Sequence, residues 1–383
     1  MRPFLIPVGL LVIACSGCDA LVGSLSERVE SQFIKTLELQ ESVKTVIGGN
    51  SDRALLGDDA GFYPGIGPVG ELVLLDLSSG ERTYTGVDPG ERISRQDVQT
   101  DGDYAAWPTP VTGPLRPTIV VFDFDTGELR DVWVESRVGD LYIDRWVLNC
   151  GRIFANARRL ADPAVGIEEF QTNLVYEIAA GETRELPSAG LPNSSLIDGL
   201  RAFSVRYATH LEEIDEFSSV VVSDEAAVVE TDLETGETRT LATRPTTGTF
   251  QRAFGSPTYI IWEELDSRPP VFRVSYYSRE TGEIGIEERP IGLNSPILLA
   301  AGEAGFVLST VRGVPWVSVT VEYSLIRYDG RITTLQSSAF GLSDTPLNPN
   351  AAILGDRAIW LDPNTGVLRY YVISTGQRGV YET

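Results

Sequence analysis

Short apolar runs separated by polar turns recur along the whole chain, and they set the first expectation for the fold. The run Ile119–Phe122 leads into Asp-Phe-Asp-Thr-Gly-Glu, and a second short run begins at Leu129. The residues of these runs are mostly β-branched or aromatic, which favours strands. Because the first run does not alternate with polar residues, it predicts a strand that is covered on both faces.

The same phrase occurs seven times, each time with a glycine at its turn. The spacings between successive turn glycines are 47, 54, 55, 46, 48 and 46 residues. Repeats of about 50 residues are typical of propeller blades. We interpret each glycine as the residue that adopts a positive φ in a tight turn, where a Cβ is disfavoured. The turn glycines are Gly80, Gly127, Gly181, Gly236, Gly282, Gly330 and Gly376.

A second landmark, a polar turn followed by a short apolar strand, precedes each turn glycine. A fourth, innermost strand is expected before each landmark, for example over Ile93–Val98. Four strands repeated seven times predict an all-β fold, a seven-bladed β-propeller of four-stranded antiparallel blades. An open solenoid would need capping repeats, and the regular spacing disfavours several separate all-β domains. The landmarks begin at Asp52, Asp101, Asp144, Asp198, Ser256, Gly302 and Gly355.

The turn phrase resembles that of bacterial periplasmic propellers of the TolB-like and quinoprotein-like type. The copies at Val121–Glu128 and Thr231–Glu237 are the most similar, and the resemblance extends from Val46 to Thr383. It implies the propeller architecture and no particular activity, since unrelated activities share this fold. The sequence lacks the Trp-Asp signature of WD-repeat blades and the Ser-x-Asp-x-Gly-x-Thr-Trp box of sialidase-like blades.

The first residues have the pattern of a bacterial lipoprotein signal peptide. Arg2 precedes the apolar stretch Phe4–Ala14, which is too short to span a bilayer. Val-Ile-Ala before Cys15 resembles a lipobox, so we predict a signal peptide over 1–14 and lipid attachment at Cys15. Cys18 is the alternative, although the position three residues before it is a cysteine rather than an aliphatic residue. An ordinary secreted protein with incidental cysteines remains the other interpretation.

The segment between the anchor and the propeller is expected to be short and helical. Apolar residues at positions 22, 25, 29 and 33 have nearly helical spacing. The predicted organisation is therefore a lipidated tether with a short helix over 15–45 and the propeller over 46–383.

The charge of the chain restricts its partners. It has 54 acidic and 31 basic residues, a net charge of −23, and removal of residues 1–14 with Arg2 makes it −24. A surface this acidic repels nucleic acid and anionic lipid and favours cations or basic partners. We therefore expect no nucleic-acid partner, and membrane attachment only through the N-terminal lipid.

No catalytic signature stands out. His210 is the only histidine, which excludes multi-histidine metal sites and disfavours a histidine-based triad. The phrase Asp123-x-Asp125-x-Gly127 lacks the downstream glutamate of a calcium loop and is interpreted as a hairpin turn. Cys150 follows an apolar run and is interpreted as a small buried hydrophobe. We predict no catalytic residue, no metal site and no cofactor, with Ca²⁺ kept as the one open possibility.

The third and fourth units have the longest segments between the second landmark and the turn glycine. These segments measure 36 and 35 residues, against 19 to 27 in the other five units. Long loops on one face of a rigid scaffold often carry function, although neutral loop growth is the alternative interpretation. The candidate binding face comprises Glu168, Glu169, Phe170, Glu212, Glu213, Asp215, Glu216 and Phe217.

These observations favour an extracytoplasmic lipoprotein of the bacterial cell envelope that acts as a non-catalytic binding or scaffolding propeller for an unidentified envelope protein. The alternative is a propeller enzyme of the lyase, lactonase or hydrolase type that uses carboxylates or Ca²⁺ near the central channel. Convergent channel carboxylates with perturbed pKa values would favour the enzyme. An exposed apolar patch on the face with the long loops would favour the binding protein.

Overall fold

The computed structural model of the protein describes the chain from residue 45 to residue 381 with gaps. The described ranges are 45–57, 70–90, 93, 97–109, 119–132, 141–162, 167–186, 194–215, 218–267, 270–291, 294–314, 318–340, 350–362 and 364–381. The predicted signal peptide and residues 15–44 of the predicted tether, with Cys15 and Cys18, lie outside them, whereas Thr45 begins the first strand. Within these ranges no helix is long and apolar enough to cross a membrane.

The described strands form seven four-stranded sheets, and each sheet is one blade. The first three blades contain β1 (Thr45–Gly49), β2 (Arg53–Gly57), β3 (Leu72–Asp76) and β4 (Arg82–Tyr84); β5 (Gln99–Thr100), β6 (Tyr104–Pro108), β7 (Ile119–Asp123) and β8 (Leu129–Val132); β9 (Leu141–Asn149), β10 (Arg152–Asp162), β11 (Ile167–Glu177) and β12 (Glu182–Leu186). The fourth and fifth contain β13 (Ser194–Asp198), β14 (Arg201–Asp215), β15 (Ser218–Asp232) and β16 (Thr238–Pro245); β17 (Thr249–Gly255), β18 (Tyr259–Ser267), β19 (Pro270–Ser278) and β20 (Ile284–Pro290). The last two contain β21 (Asn294–Gly302), β22 (Gly305–Val314), β23 (Ser318–Ile326) and β24 (Ile332–Phe340); β25 (Ala351–Leu354), β26 (Arg357–Leu361), β27 (Leu368–Val372) and β28 (Arg378–Tyr381).

Every blade is an antiparallel meander of consecutive strands, which confirms the predicted seven-bladed, all-β fold. Buried apolar residues lie between neighbouring blades in seven clusters, one for each pair of neighbours. Leu56 and Leu75 of the first blade pack in one cluster with Ile359 and Leu368 of the seventh, so this cluster closes the ring. The blades are held together mainly by removal of these side chains from water.

Among the described strands, the first and last blades share none, and side-chain contacts join the two blades. Each of these two blades is built from one continuous segment of chain. The Tyr381 hydroxyl donates to the carbonyl of Leu77 at 3.1 Å. The Arg357 guanidinium donates to the same carbonyl and to the Tyr381 hydroxyl, the latter at 2.7 Å. A single carbonyl of the first blade thus receives two donors from the seventh.

The recurring turn phrase, which reads Asp-x-x-Thr-Gly in the second and fourth blades, forms the turn between the third and fourth strands. All seven turn glycines have φ between 70° and 82°. In the second blade the Gly127 amide donates to the Asp123 carbonyl at 2.9 Å, and the Asp123 carboxylate accepts the amides of Asp125 and Thr126. The aspartate therefore satisfies the amides that the tight turn leaves without a strand partner.

The innermost strand of the second blade differs from the expectation. β5 covers only Gln99–Thr100 rather than Ile93–Val98. Ile93 and Val98 are buried in the cluster between the first two blades. Their apolar character therefore reflects core packing and not strand pairing.

The landmark of the third blade was placed wrongly. The segment that begins at Asp144 lies in the innermost strand β9, and the second strand begins at Arg152. A two-residue turn of Cys150 and Gly151 joins them, with φ of 50° and 69°. Such a turn suits the twist of a hairpin because both central residues have positive φ. The prediction of a buried Cys150 was also wrong: this cysteine is exposed.

Candidate functional site

The hairpins between the second and third strands differ most from blade to blade. In the first blade β2 and β3 have five residues each. In the fourth blade β14 and β15 have 15 residues each and pair from Arg201 with Asp232 to Asp215 with Ser218. The fourth blade therefore has the longest hairpin of the described blades.

Only the base of the β14–β15 hairpin belongs to a four-stranded sheet. β13 pairs with β14 no further than Ser204, and β16 pairs with β15 no further than Glu225. Residues 209–215 and 218–223 therefore continue as a two-stranded projection, here called the blade-4 ribbon. With seven residues in one arm and about 3.3 Å per residue, the ribbon extends roughly 20 Å. A lone two-stranded hairpin is only marginally stable in water, so its base has to be well supported.

The third blade has a shorter projection beside it. β10 and β11 have 11 residues each, while β12 pairs with β11 no further than Asn173. Measured from the correct second-strand start at Arg152, the segment to Gly181 is 29 residues, shorter than the sequence-based value of 36. The third and fourth blades are neighbours, as their shared core cluster shows.

The candidate binding residues lie towards the ends of these two hairpins, where the backbone defines their register. In the third blade Glu168 pairs with Leu160 and Phe170 with Arg159. Glu169 lies between them in β11. In the fourth blade Glu212, Glu213 and Asp215 pair with Val220, Ser219 and Ser218, and His210 pairs with Val222. Glu216 and Phe217 lie outside the described residues.

A buried carboxylate supports the base of the blade-4 ribbon. Glu264 of β18 is fully buried between the fourth and fifth blades. Its Oε1 accepts the hydroxyl of Tyr207 at 2.5 Å and the indole N–H of Trp262 at 2.9 Å. Its Oε2 accepts the Arg244 guanidinium and the hydroxyl of Thr246, the latter at 3.3 Å. Tyr207 lies on β14, Arg244 on β16 and Thr246 in the connection that follows β16. One carboxylate therefore links three separate segments of the chain to β18.

Tyr207 is the last but one residue of β14 before the ribbon begins, since Ala208 pairs with Glu225 where β16 ends. Burial, with the Glu264 charge beside it, raises the pKa of Tyr207 above its usual range, so its hydroxyl stays a donor. The hydrogen bond to Glu264 therefore fixes the ribbon base to the fifth blade.

A second set of charges extends the cluster outwards. The Arg273 guanidinium lies 3.7 Å from Asp266, and its Nε donates to Glu288 at 2.5 Å. The hydroxyl of Thr247, in the connection from β16 to β17, donates to Asp266. The cluster thus holds the connection between the fourth and fifth blades as well as the ribbon base. Sequence reasoning missed it, although Glu-Glu-Leu-Asp at the end of the apolar run Tyr259–Trp262 is an unusual continuation for a buried strand.

Glu263 faces the opposite side of β18. Its carboxylate accepts the Arg252 Nε of the innermost strand β17 at 2.7 Å, and Arg252 also donates to the Leu298 carbonyl of the sixth blade. Burial raises the pKa of Glu263, and the contact with Arg252 opposes that rise. Within the part of the chain that the structure describes, no three histidine, cysteine, aspartate or glutamate side chains come together as metal ligands.

The Asp123–Gly127 turn of the second blade contacts the first blade. Asp125 forms an ion pair with Arg53 of the first blade at 2.7 Å, on the exposed side of the turn. The turn therefore contributes a surface contact between blades, and surface pairs of this kind stabilise a fold only slightly.

The fold defines the protein as a seven-bladed β-propeller, and structural comparison finds neighbours among peptidase and lyase propellers. No protein-family model and no curated protein matches the sequence. A prolyl endopeptidase structure is similar at 12% identity and a TM-score of 0.47 over 94% of this chain and 54% of its own, so the chain spans about half its length. An uncharacterised protein from Listeria monocytogenes EGD-e is similar at 8% identity and a TM-score of 0.46, over 89% of this chain and 94% of its own. An oligogalacturonate lyase solved with manganese has 12% identity and a TM-score of 0.33, over 88% and 77%. At these identities the similarity concerns architecture alone.

Proposed function

We propose that this protein is a binding propeller of the bacterial cell envelope that holds a basic protein partner on the hairpins of its third and fourth blades. The observation that carries the proposal is the blade-4 ribbon, a two-stranded projection with a rigidly supported base. Binding residues are commonly placed on such extensions of a rigid scaffold. The ribbon offers a partner both side chains and unpaired strand edges.

The sequence of the two projections determines the chemistry of the partner. Residues 160–172 and 208–223 contain seven acidic residues and neither lysine nor arginine. Clustered negative charge attracts a basic surface and accelerates the encounter, and salt screens this attraction over about 10 Å. Arg158 and Arg159 at the third-blade base offset part of the field. A basic protein partner whose binding weakens with salt is therefore expected.

The membrane location is part of the proposal and is supported by the sequence at its N-terminus. The lipobox-like Val-Ile-Ala-Cys phrase at residues 12–15 supports lipidation of Cys15 after removal of residues 1–14. The lipid would anchor the propeller on the extracytoplasmic side of a membrane, with Cys18 as the alternative attachment site. A propeller anchored in this way meets envelope proteins.

A precise deletion of the ribbon tests the binding proposal. Ala208 and Glu225 are paired, so residues 209–224 are replaced by Asn-Gly, which forms a two-residue hairpin turn. The matched variant keeps the ribbon and carries Glu212→Gln, Glu213→Gln and Asp215→Asn. Envelope proteins captured by the wild-type chain at low salt are expected to be lost with the deletion and reduced with the charge variant. An unchanged set of captured proteins with a folded deletion variant would contradict the proposal.

An enzyme of the lyase, lactonase or hydrolase type is the second candidate, and Glu263 is the observation that favours it. Its buried carboxyl has a raised pKa and lies beside Arg252 of β17, the innermost strand of the fifth blade. A carboxyl with a raised pKa keeps its proton to higher pH, and beside a guanidinium this suits general acid chemistry on an anionic substrate. The test measures hydrolysis or elimination of ester and uronate substrates by the wild-type protein and by two variants. Activity that disappears in Glu263→Gln and persists in Glu288→Gln would support this candidate. Equal activity in both variants would exclude this role for Glu263.

A further inference from the structure

A groove of about 440 Å³ lies on the rim of the ring, where the outer strand β24 of the sixth blade meets the seventh blade. The fifth blade separates it from the fourth blade, and the first and second blades separate it from the third, so it is separate from the proposed partner site. The side chains that determine its chemistry are Leu335, Gln336, Trp360, Arg369, Arg378 and Val380.

Strand alternation places the two arginines on the same wall. Arg369 pairs with Val380, and Tyr371 pairs with Arg378, so all four side chains are on one face of the seventh blade. The Arg378 guanidinium lies 5.5 Å from the centre of the Tyr371 ring. It donates to the carbonyl of Thr334 at 2.8 Å in β24. The wall is therefore fixed to the opposite blade.

The groove is positively charged in a strongly acidic protein. Its lining contains two arginines and no carboxylate, whereas the chain carries a net charge of −23. Asp362, outside the lining, accepts the Arg369 Nε and a second nitrogen of the same guanidinium at 2.8 Å each. Asp362 offsets one of the two positive charges, so about one positive charge remains.

The polar groups of the groove are positioned before any ligand enters. The Trp360 indole N–H donates to Gln336 Oε1 at 2.7 Å, and Gln336 Nε2 donates to Ser338 at 2.9 Å. A guanidinium has five N–H donors, and the contacts of Arg369 and Arg378 with other described residues use only part of them. Groups held in place in this way lose little entropy when a ligand binds.

We propose that this groove binds a small organic anion, with its carboxylate at Arg369 and Arg378 and its apolar body against the exposed Val380 and the groove-facing edges of the otherwise buried Trp360 and Leu335. A guanidinium matches the geometry of a carboxylate and binds it through paired hydrogen bonds. An apolar wall with a few placed polar groups is the usual composition of a small-molecule site. The local positive charge selects an anion on a surface that otherwise repels it.

Calorimetric titration of the full chain with three probes tests this assignment. Phenylacetate combines a carboxylate with a ring, phenethylamine has the ring with the opposite charge, and acetate has the carboxylate alone. Phenylacetate is expected to bind with one site per chain, acetate at least tenfold more weakly, and phenethylamine not at all. Absence of phenylacetate binding at millimolar concentration, or equal binding of phenethylamine, overturns the proposal.

Variants locate the site. Arg369→Gln and Arg378→Gln are each expected to weaken phenylacetate binding at least tenfold. Arg331→Gln is the matched control, because Arg331 is an exposed arginine just before β24 that pairs with Asp329 outside the groove. If Arg378→Gln fails to fold, the phenylacetate affinities of Arg369→Gln and Trp360→Phe are compared with that of the wild type instead. Unchanged affinity in the folded groove variants, or an equal loss in Arg331→Gln, overturns the assignment.

Discussion

The Tyr207 hydroxyl and the Glu264 carboxylate meet at 2.5 Å across the boundary between the fourth and fifth blades. This contact matters because Tyr207 is at the base of the blade-4 ribbon and Glu264 is fully buried in the next blade. A buried carboxylate with several donors contributes little net stability compared with an apolar residue, but loss of one partner is costly. The contact therefore specifies how the ribbon is oriented more than how stable the ring is.

Removal of the buried carboxylate is expected to destabilise the protein strongly. Glu264→Ala leaves the Arg244 guanidinium without its buried counter-ion, which should lower the free energy of unfolding by about 3–5 kcal/mol. Glu288→Ala is the matched control, since Glu288 is exposed and pairs with Arg273 of the same cluster, and its removal should cost less than about 1 kcal/mol. Urea denaturation of both variants measures the difference. Equal losses would mean that the buried pair has no special role.

Loss of the Tyr381 hydroxyl is expected to weaken the closure of the ring. Tyr381→Phe removes the hydrogen bond to the Leu77 carbonyl and should lower the free energy of unfolding by about 1 kcal/mol. Arg357→Met removes the second donor to that carbonyl and should add to the loss. Val380→Thr, at an exposed position next to Tyr381, is the control. Hydrogen exchange should show faster opening of β1 and β28 in the closure variants; unchanged exchange there would contradict the role of these bonds.

The turn glycines offer a test of backbone strain without steric conflict. Gly127 has φ of 71° and no atom within 4 Å of the position of a Cβ. Gly127→Val should therefore cost about 1–2 kcal/mol from the backbone alone, while Gly127→Asn should cost clearly less because asparagine tolerates positive φ. Gly285→Ala differs, since its Cβ would collide with the Tyr276 ring. Thermal unfolding of the first two variants provides the measurement, and equal losses would contradict the strain argument.

Much of the fold could be predicted because its signals are local. Gly127 and its six equivalents mark turns whose conformation depends on a few neighbouring residues, so their spacing revealed seven blades. The third blade was misread at Asp144 because the apolar residues Trp146–Leu148 suit an innermost strand as well as a second strand. Only pairing across the Cys150–Gly151 turn distinguishes the two.

The contacts around the candidate sites could not be predicted in the same way. Glu264 binds Tyr207, which is 57 residues away, and Trp360 binds Gln336 across a blade boundary. Such pairs depend on how neighbouring blades pack, and the sequence pattern of one blade does not encode that. The acidic ribbon residues were visible in the sequence, whereas the extension of their strands to 15 residues was not.

Glu263 is expected to make stability fall as pH rises. Burial raises its pKa in the folded protein above the ordinary value of 4.5, so the folded state holds its proton to higher pH than the unfolded state does. The contribution of this carboxyl to the free energy of unfolding is fully present below pH 4.5, and it is lost as the pH rises through the raised pKa of the folded state. Asp101, whose pKa burial also raises, contributes with the same sign. Urea denaturation between pH 4 and pH 8 should show a shallower decline in Glu263→Gln than in wild type; identical slopes would contradict the prediction.

Lipidation is expected at Cys15, because its thiol follows the small Ala14 and the aliphatic pair Val12 and Ile13. Mass spectrometry of the mature protein from a bacterial membrane fraction should show a diacylglycerol-modified Cys15 at the N-terminus and no residues 1–14. Cys15→Ser should abolish the modification and release the propeller from the membrane. Cys18→Ser is the matched control, with the second thiol only three residues away, and should leave lipidation and membrane attachment unchanged. Lipid modification that is retained in Cys15→Ser and lost in Cys18→Ser would assign the lipid anchor to Cys18. An unmodified Cys15 in a freely secreted protein would contradict the lipoprotein proposal altogether.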